Sequence, residues 1–378
     1  MKALPFGLSL AALSIAAMAA NAHAETIDSR WATVQVETIA EGLAHPWGLA
    51  FLGNGRLLIT ERPGHMRIVE ADGSLGEPID GLPEVKVRNQ GGLLDVALSP
   101  DYDSDRMVYF SYSEPESEGS EITSTAVARA RLENNALHDV EVIFSQYPKE
   151  NGGRHYGGRL QFSANGEYLF IGLGDRGHRS DDAQLVNNHT GTLIRIYPDG
   201  SVPTDNPFVG QEGAQPEIWS YGHRNIQGMD VQPSTGQLWT VEHGPQGGDE
   251  LNRPEAGLNY GWPIITHGEQ YGGGEVGIGF AKEGMESPVW HWTPSIAVSG
   301  LAFYTGNQFP AWEGNALATG LRGNNLARLE IDGDRVIHQE LMQFDYRIRE
   351  VKVDNDGYIY LLTDHSDGKI LRLSPSDV

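Results

Sequence analysis

The sequence predicts an all-β protein: a six-bladed β-propeller of four-stranded antiparallel blades. One pattern recurs six times, with a short apolar strand, a turn rich in Asn, Asp or Gly, and a second strand of β-branched or aromatic residues. The copies start roughly 45 to 70 residues apart, which leaves room for four strands and their loops. No segment keeps a 3.6-residue apolar period over a helical length. Six sheets arranged radially bury their faces against one another.

Each copy is typical of a β-hairpin, because Asn-Gly and Asp-Gly pairs supply the positive φ angles of a tight turn. In chain order the paired segments are Trp47–Phe51 with Arg56–Glu61, Gly92–Leu98 with Arg106–Ser113, Gly158–Phe162 with Glu167–Asp175, Gly228–Val231 with Gln237–Gly244, Gly300–Tyr304 with Asn315–Gly323, and Arg349–Val353 with Tyr358–Asp364. We expect the early strand Thr33–Val36 to pair with the last blade and close the ring. A seven-bladed ring and a β-sandwich pair are the alternative folds.

Polar residues follow the second strand of most of these hairpins. They are Glu61, Arg62, Asp175, Arg176, Glu242, His243, Arg322, Asp364 and His365. Because these strand ends point to a common rim, residues distant in sequence are expected to meet at the mouth of one central channel. The fold alone does not identify the chemistry at that mouth.

Composition limits the classes of partner. The formal net charge of −24 disfavours nucleic acids and anionic membranes, which need basic surfaces, and is compatible with Ca²⁺. The chain has no cysteine, which excludes disulfides, thiolate metal sites and covalently attached haem. Residues 1–24 have the layout of a cleavable signal peptide, with an N-terminal membrane anchor as the alternative. We therefore expect an exported, periplasmic or secreted protein with one domain over residues 25–378.

A glycine-rich segment, Gly172–Gly177, spells a literal GxGxxG after a strand. A dinucleotide site would also require a helix that opens at the third glycine inside a βαβ unit. The following residues, HRSDDAQ, have no apolar helical face. The segment is therefore interpreted as a glycine-rich loop.

A candidate general base lies in the polar loop Asn151–Gly158. His155 in such a loop could serve as a base near neutral pH, and Asp175 at the next strand end could orient it and raise its basicity. The alternative is that His155 only caps a turn. Scattered positions of the other histidines give no zinc-binding spacing.

Two further groups suggest binding chemistry. Arg347 and Arg349 lie on one face of an extended segment and, with Arg224 and Arg322, could form a cationic pocket for carboxylates. Ion pairs within a blade are the alternative. In the segment His243–Glu250, a Gly-Pro turn and the carboxylates of Asp249 and Glu250 offer only oxygen donors, which favours Ca²⁺.

Several long motifs lie between about His45 and Asp364: HPWGLAF, RNQGGLLDVALSP, GGRLQFSANGEYLFIGLGDRG, GTLIRIYPDGSVPTDNPF, EIWSYGHRNIQG, EHGPQGGDELN, GLNYGWP and YRIREVKVDNDGYIY. They resemble the motifs of the soluble pyrroloquinoline-quinone (PQQ) sugar dehydrogenases, in particular the bacterial aldose sugar dehydrogenases. The resemblance implies a six-bladed propeller with the quinone across the channel mouth, in agreement with the repeat count.

The resemblance also implies roles for individual residues. His155 matches the base that removes the proton of the anomeric hydroxyl, and Asp175 matches its partner. The C1 hydride would pass to C5 of the quinone, with Arg224 stabilising the negative charge on the C5 oxygen. The residues implied in cofactor binding are Gln90, Arg224, Asn225, Tyr271, Arg347 and Arg349, together with Arg322 at a position where several relatives have Lys.

Calcium ligands are implied in the same way. Gly244 and Pro245 match the residues whose carbonyl groups hold the catalytic Ca²⁺, and Glu250 with Tyr260 match ligands of a second, structural ion. The expected function is therefore PQQ- and Ca²⁺-dependent oxidation of aldoses at C1 to lactones. Alternatives are a dehydrogenase of another sugar-derived aldehyde or polyol, a Ca²⁺-dependent propeller lactonase, and a non-catalytic glycan-binding propeller. The preferred sugar, the electron acceptor and the oligomeric state stay open.

Overall fold

Residues 25–376 are described by the computed structural model, and the predicted signal peptide, residues 1–24, lies outside this range. Six antiparallel sheets follow one another along the chain, and the first strand of each contacts the first strand of the next. The last of these strands contacts the first, so the sheets close into a ring. The predicted six-bladed β-propeller is confirmed. Within residues 25–376, no helix has the length and hydropathy that a bilayer crossing requires.

The blades are numbered 1 to 6 along the chain, and their strands are given from the central channel outward. Blade 1 comprises Pro46–Gly53, Arg56–Glu61 and His65–Val69; blade 2, Leu93–Leu98, Met107–Pro115, Thr123–Glu133 and Ala136–Ser145; blade 3, Leu160–Phe162, Leu169–Gly172, Thr192–Ile196 and Ile218–Tyr221; blade 4, Ile226–Val231, Leu238–Glu242, Asp249–Asn252 and Trp290–Trp292; blade 5, Val298–Phe303, Ala316–Gly320, Asn325–Asp332 and Arg335–Gln343; blade 6, Ile348–Val353, Ile359–Thr363, Gly368–Pro375, Thr33–Leu43 and Glu25–Asp28. Short helical turns span Tyr102–Asp105, Ser180–Gln184 and Pro310–Trp312.

Ring closure comes from the N-terminal part of the described chain. Thr33–Leu43 pairs antiparallel with Gly368–Pro375, from Val34 opposite Pro375 to Leu43 opposite Gly368. The predicted pairing with the last blade is therefore confirmed. Thr33–Leu43 is the fourth strand of blade 6, and Glu25–Asp28 pairs with it as a fifth. Blade 1 has three strands and one further bridge between Val69 and Leu75.

The hairpin turns carry the backbone angles that their residues predict. In blade 1, Asn54 and Gly55 have φ values of 53° and 74°. Left-handed values of this kind cost little for Asn and Gly, and they match the twist of a two-residue hairpin. The repeat was visible in the sequence because this turn chemistry recurs.

Inner strands approach one another closely around the channel. A Cβ atom on Gly48 would lie 2.8 Å from the backbone nitrogen of Val96, and one on Gly228 would lie 2.2 Å from the carbonyl oxygen of Ser299. Both positions therefore need glycine. Apolar side chains fill the wedges farther out, and each of the six blade interfaces has its own buried cluster.

A buried arginine ties four inner strands together inside the channel. Arg159 of blade 3 is fully buried and contacts the carboxylates of Asp95 in blade 2, at 3.1 Å, and of Glu350 in blade 6. Its Nε donates to the carbonyl oxygen of Gln227 in blade 4 at 2.8 Å, and its guanidinium lies 4.3 Å from the centre of the Trp47 ring in blade 1. A charge at this depth is tolerated because it is paired on several sides.

Replacing this arginine should destabilise the ring strongly. Arg159→Met leaves two buried carboxylates without their cation, which typically costs about 3–5 kcal/mol of unfolding free energy. Urea unfolding, with far-UV circular dichroism as the readout, measures the difference. Arg131→Met is the matched control, because that exposed arginine pairs with Glu133 and Asp139 at the edge of blade 2. Equal unfolding midpoints for the two variants would contradict the role of Arg159.

Candidate active site

Propeller topology gathers the predicted site residues at one end of the channel. In each blade the residues before the inner strand and those after the second strand lie at the same end, here called the site rim. Hydrogen bonds join these loops: Asp175 N–H donates to Arg224 O at 2.9 Å, and Asp364 N–H donates to Arg347 O at 2.8 Å. The common rim predicted from the repeats is therefore present.

A cavity of about 1040 Å³ opens at the site rim. Its walls are formed by Asn89, Gln90, Arg154, His155, Asp175, Gly177, Ser180, Asp181, Arg224, Pro245, Trp262, Pro263, Ile264, Gln270, Tyr271, Val276, Gly277 and Ile278. A second cavity of the same volume opens at the opposite end, among the hairpin turns, and is lined by none of the predicted site residues. The rim cavity is therefore the candidate active site.

His155 and Asp175 form a hydrogen-bonded pair in the wall of this cavity. Nδ1 of His155 lies 2.5 Å from Oδ1 of Asp175, and the histidine side chain is 11% exposed. The backbone of His155 has a φ of 47°, and its N–H donates to Oε1 of Gln90 at 2.8 Å. The geometry goes beyond a turn cap, because the carboxylate fixes which ring nitrogen is protonated and leaves Nε2 as the acceptor.

Three donors hold the Asp175 carboxylate. Besides His155, the backbone N–H of Gly177 donates to Oδ1 at 2.7 Å, and Nε1 of Trp262 donates to Oδ2 at 2.8 Å. Burial acts to raise the pKa of Asp175, but its hydrogen bond to His155 and the charge of Arg224 lower that pKa below the usual value. The side chain therefore stays ionised.

The pKa of His155 is also shifted downward. Burial is the largest cause, and the positive charge of Arg224 adds to it, while the hydrogen bond that His155 donates to Asp175 opposes both. The imidazole is therefore neutral at neutral pH, which is the form a general base requires.

Arg224 faces the cavity from the start of blade 4. Its Nη1 donates to the carbonyl oxygen of His243 at 3.1 Å, its guanidinium lies 5.1 Å from the Trp262 ring centre, and its buried Nε has no hydrogen-bond partner among residues 25–376. Asn225 is turned inward: its Oδ1 accepts from Gly157 N–H and from the side chain of Gln227. Arg224 is thus free to meet a ligand, whereas Asn225 holds the loops.

The remaining cavity residues differ in exposure. Gln90 uses its side-chain oxygen on His155, as described above, and lines the wall. Tyr271 is 72% exposed and also lines the wall. Both line the candidate active site, and their role in cofactor binding stays a prediction.

The other three predicted arginines lie on the site rim outside this cavity wall. Arg349 is buried and donates to Gln227 Oε1 at 3.0 Å, to Ser299 Oγ at 3.2 Å and to Asp364 Oδ2 at 3.3 Å. Burial lowers the pKa of Arg349 to about 10. Arg347 is half exposed and lies 3.5 Å from Asp364, and its Nη1 donates to the carbonyl of Leu321, beside the exposed Arg322.

Asp364 is the common counter-ion of this arginine group. Burial acts to raise its pKa, but Arg349 and the hydrogen bond to His45 hold the pKa well below its usual range. The alternative of ion pairs within blade 6 is therefore realised in this structure. These ion pairs do not use every hydrogen-bond donor of the arginines, because Nε of Arg349 is buried without a partner in the described chain.

The Gly-Pro turn offers free carbonyl oxygens. Gly244 donates its N–H to Asp249 at 3.0 Å, but within residues 25–376 no hydrogen bond reaches the carbonyl oxygen of Gly244 or of Pro245. The carboxylate of Asp249 is occupied by Ser295 and Val298 N–H, so it supports the turn. These carbonyl groups are donors of the kind Ca²⁺ prefers.

The side chains of Glu250 and Tyr260 hydrogen-bond to other residues of blade 4. Glu250 accepts from Asn252 at 3.1 Å, and burial with the nearby Glu242 carboxylate raises its pKa well above the usual value. The Tyr260 hydroxyl donates to Arg253 O at 2.8 Å. In the described part of the chain, no cluster of three or more His, Asp or Glu side chains is arranged for a metal ion. A second Ca²⁺ site here stays a prediction.

Two residues of the site were not recognised from the sequence. Trp262 lies in the GLNYGWP motif, but its contact with Asp175 spans 87 residues. His243 has a buried Nε2 without a partner within residues 25–376. Burial is the main cause that lowers the pKa of His243 to about 3, and the positive charges of Arg224 and Arg349 lower it further. In the sequence, only the position of His243 after the second strand of blade 4 indicated that it lies at the site rim.

Comparison with known proteins gives a consistent result. The sequence matches the Glucose / Sorbosone dehydrogenase family over residues 43–372. It is 43% identical to the aldose sugar dehydrogenase YliI of Escherichia coli, over 91% of this chain and 94% of that protein. A solved glucose dehydrogenase superposes with a TM-score of 0.87 at 46% identity, covering 90% of this chain and 99% of the other.

A further similar structure is that of a PQQ-bound enzyme. The PQQ-bound form of an aldose sugar dehydrogenase from Streptomyces coelicolor superposes with a TM-score of 0.75 at 31% identity, over 91% of this chain and 99% of the other. The family match covers nearly the whole described chain, including both the His155–Asp175 pair and the rim arginines. This chain belongs to the glucose/sorbosone dehydrogenase family.

Proposed function

We propose that this protein oxidises aldose sugars at C1 to lactones, with PQQ and Ca²⁺ bound at the site rim. The observation that carries the proposal is the His155–Asp175 pair, which faces a cavity of about 1040 Å³ beside Arg224, whose buried Nε has no partner in the described chain. Similarity to aldose sugar dehydrogenases, one of them described as PQQ-bound, supports the same chemistry. The N-terminal sequence supports a periplasmic location.

The residues present fit such a cofactor. Buried N–H groups of Arg224 and Arg349 have no acceptor in the described chain, and PQQ carries carboxylate and quinone oxygens that would accept from them. Arg322 and the half-exposed Arg347 would add positive charge, Gln90 and Tyr271 would line the site, and the carbonyl groups of Gly244 and Pro245 would hold Ca²⁺. The bound pair would supply a hydride acceptor and a Lewis acid.

The chain's own residues supply the proton chemistry. His155 Nε2 takes the proton of the anomeric hydroxyl as the C1 hydride leaves, and Asp175 stabilises the imidazolium that forms. Arg224 stabilises negative charge that develops beside it. The sugar loses one proton and one hydride, which together convert the C1 hydroxyl of the ring into the lactone carbonyl.

Reconstitution tests the function directly. Purified apoprotein is assayed for dye-linked oxidation of a panel of aldoses and polyols and of sorbosone, with PQQ and Ca²⁺ added singly and together. Aldose oxidation only when both are present is the expected result. Preference for sorbosone or a polyol would favour the dehydrogenase alternative that the family name also allows. Lactone hydrolysis without PQQ, or sugar binding without turnover, would favour the lactonase or the binding module.

Removing the base should separate binding from turnover. His155→Ala is expected to retain PQQ, measured by titration, while kcat falls by about 10²–10⁴-fold, the usual contribution of a general base. His178→Ala is the matched control, because His178 lies in a nearby loop, half exposed, with Nδ1 3.0 Å from a backbone carbonyl oxygen. Full activity in the His155 variant would refute the assignment.

The pH profile should reflect the shifted histidine. A base works only when it is deprotonated, so activity is lost as the pH falls through the pKa of His155. Because burial holds that pKa below the usual value of 6.5, we expect the acid limb of kcat/KM to have its midpoint below pH 6.5. An acid limb centred above pH 6.5 would contradict this arrangement.

A further inference from the structure

Trp262 joins the two charged halves of the candidate active site. Its indole Nε1 donates to Oδ2 of Asp175 at 2.8 Å, and its ring lies 5.1 Å from the guanidinium carbon of Arg224. Asp175 follows the second strand of blade 3, whereas Arg224 precedes the inner strand of blade 4. The indole therefore contacts both the partner of the proposed base and the proposed charge-stabilising arginine, and it lines the same cavity.

The backbone around Trp262 is firmly held. Its N–H donates to the carbonyl of Gly222 at 2.8 Å, and its own carbonyl accepts from Gln184 Nε2 at 2.7 Å. Gln184 is bonded in turn to Asn259 through both side-chain amides. These bonds fix the backbone of Trp262, and the hydrogen bond to Asp175 holds its indole N–H.

The hydrogen bond from Trp262 reaches the oxygen of Asp175 that His155 does not use. A donor at this position stabilises the carboxylate and makes it less basic. It also fixes the plane of the carboxylate, and with it the direction in which His155 Nε2 points. The charged and titratable groups that face the pair are Arg176, Arg224 and His243, together with Arg154 and Asp181 in the same cavity wall. In the described chain none of them has a hydrogen bond or ion pair with Oδ2 of Asp175.

We propose that Trp262 is a positioning residue for the reaction: its indole N–H aligns the His155–Asp175 pair, and its ring sets the place of Arg224. The role rests on the proposed function, since it acts through the base of that reaction. An apolar wall residue would need neither the N–H nor its direction, and a residue that only packs would not affect the titration of His155.

The test removes the N–H and keeps an aromatic ring. In Trp262→Phe, Asp175 loses one donor and becomes more basic, so His155 should hold its proton to higher pH. The pKa of His155 is followed in apoprotein by NMR of ¹⁵N-labelled histidine, with the signal assigned by its absence in His155→Ala. We expect it to move upward. In holoenzyme we expect kcat to fall by on the order of tenfold with KM nearly unchanged, and the acid limb to move to higher pH.

Trp290→Phe is the matched control. Trp290 also donates its indole N–H to a side chain, Gln339 at 3.0 Å, but it lies at the outer edge of blade 4. That variant should leave His155 and kcat unchanged. Where Trp262→Phe yields too little folded protein, Trp262→Tyr replaces it, because tyrosine also lacks the indole N–H.

The outcomes separate the two proposals. An unchanged His155 titration together with kcat within twofold of the wild type would overturn the role of Trp262. A wild-type protein without sugar oxidation would overturn the proposed function, while the NMR titration of the apoprotein would still decide whether Trp262 controls the His155–Asp175 pair.

Discussion

The buried contact of Arg159 with Asp95 and Glu350 is the constraint from which the site geometry follows. It joins the inner strands of blades 2, 3 and 6, and the bond to Gln227 adds blade 4. The rim residues lie only a few positions before these strands: His155 precedes Arg159 by four residues, and Arg349 is the immediate neighbour of Glu350. Because the strands are fixed inside the channel, the side chains at the mouth are held in place although they come from different blades.

The site is also an electrostatic exception within an acidic protein. The chain has a formal charge of −24, yet the rim gathers Arg62, Arg347 and Arg349 around the buried carboxylate of Asp364 and places Arg224 beside the His155–Asp175 pair. Desolvation makes such a cluster costly unless anions complete it. Burial keeps His155 neutral, whereas the hydrogen bond with His155 and the charge of Arg224 keep Asp175 ionised against the effect of burial. The rim therefore offers both a cationic surface for an anionic ligand and a base.

The fold and the His155–Asp175 pair could be predicted from the sequence, because hairpin turns and strand periodicity are local and the propeller brings strand ends to one rim. The contact of Trp262 with Asp175 could not, since it depends on how a long loop of blade 4 folds back over blade 3. Nor could the sequence tell arginines that bind a ligand from arginines that form ion pairs. Arg349 forms an ion pair with Asp364, and its Nε has no partner in the described chain. The pairing of Glu250 with Tyr260 came from resemblance alone, and the hydrogen bonds of both side chains are directed elsewhere.

Closure of the ring by Thr33–Leu43 has a consequence for biosynthesis. The partner strand Gly368–Pro375 is more than 300 residues farther along the chain, so this early strand leaves the ribosome long before its partner exists. Until then its edge is unpaired, and unpaired strand edges invite association with other chains. Neighbouring blades can form one after another, but closing the ring takes one long-range step. That step must wait until Gly368–Pro375 has been synthesised.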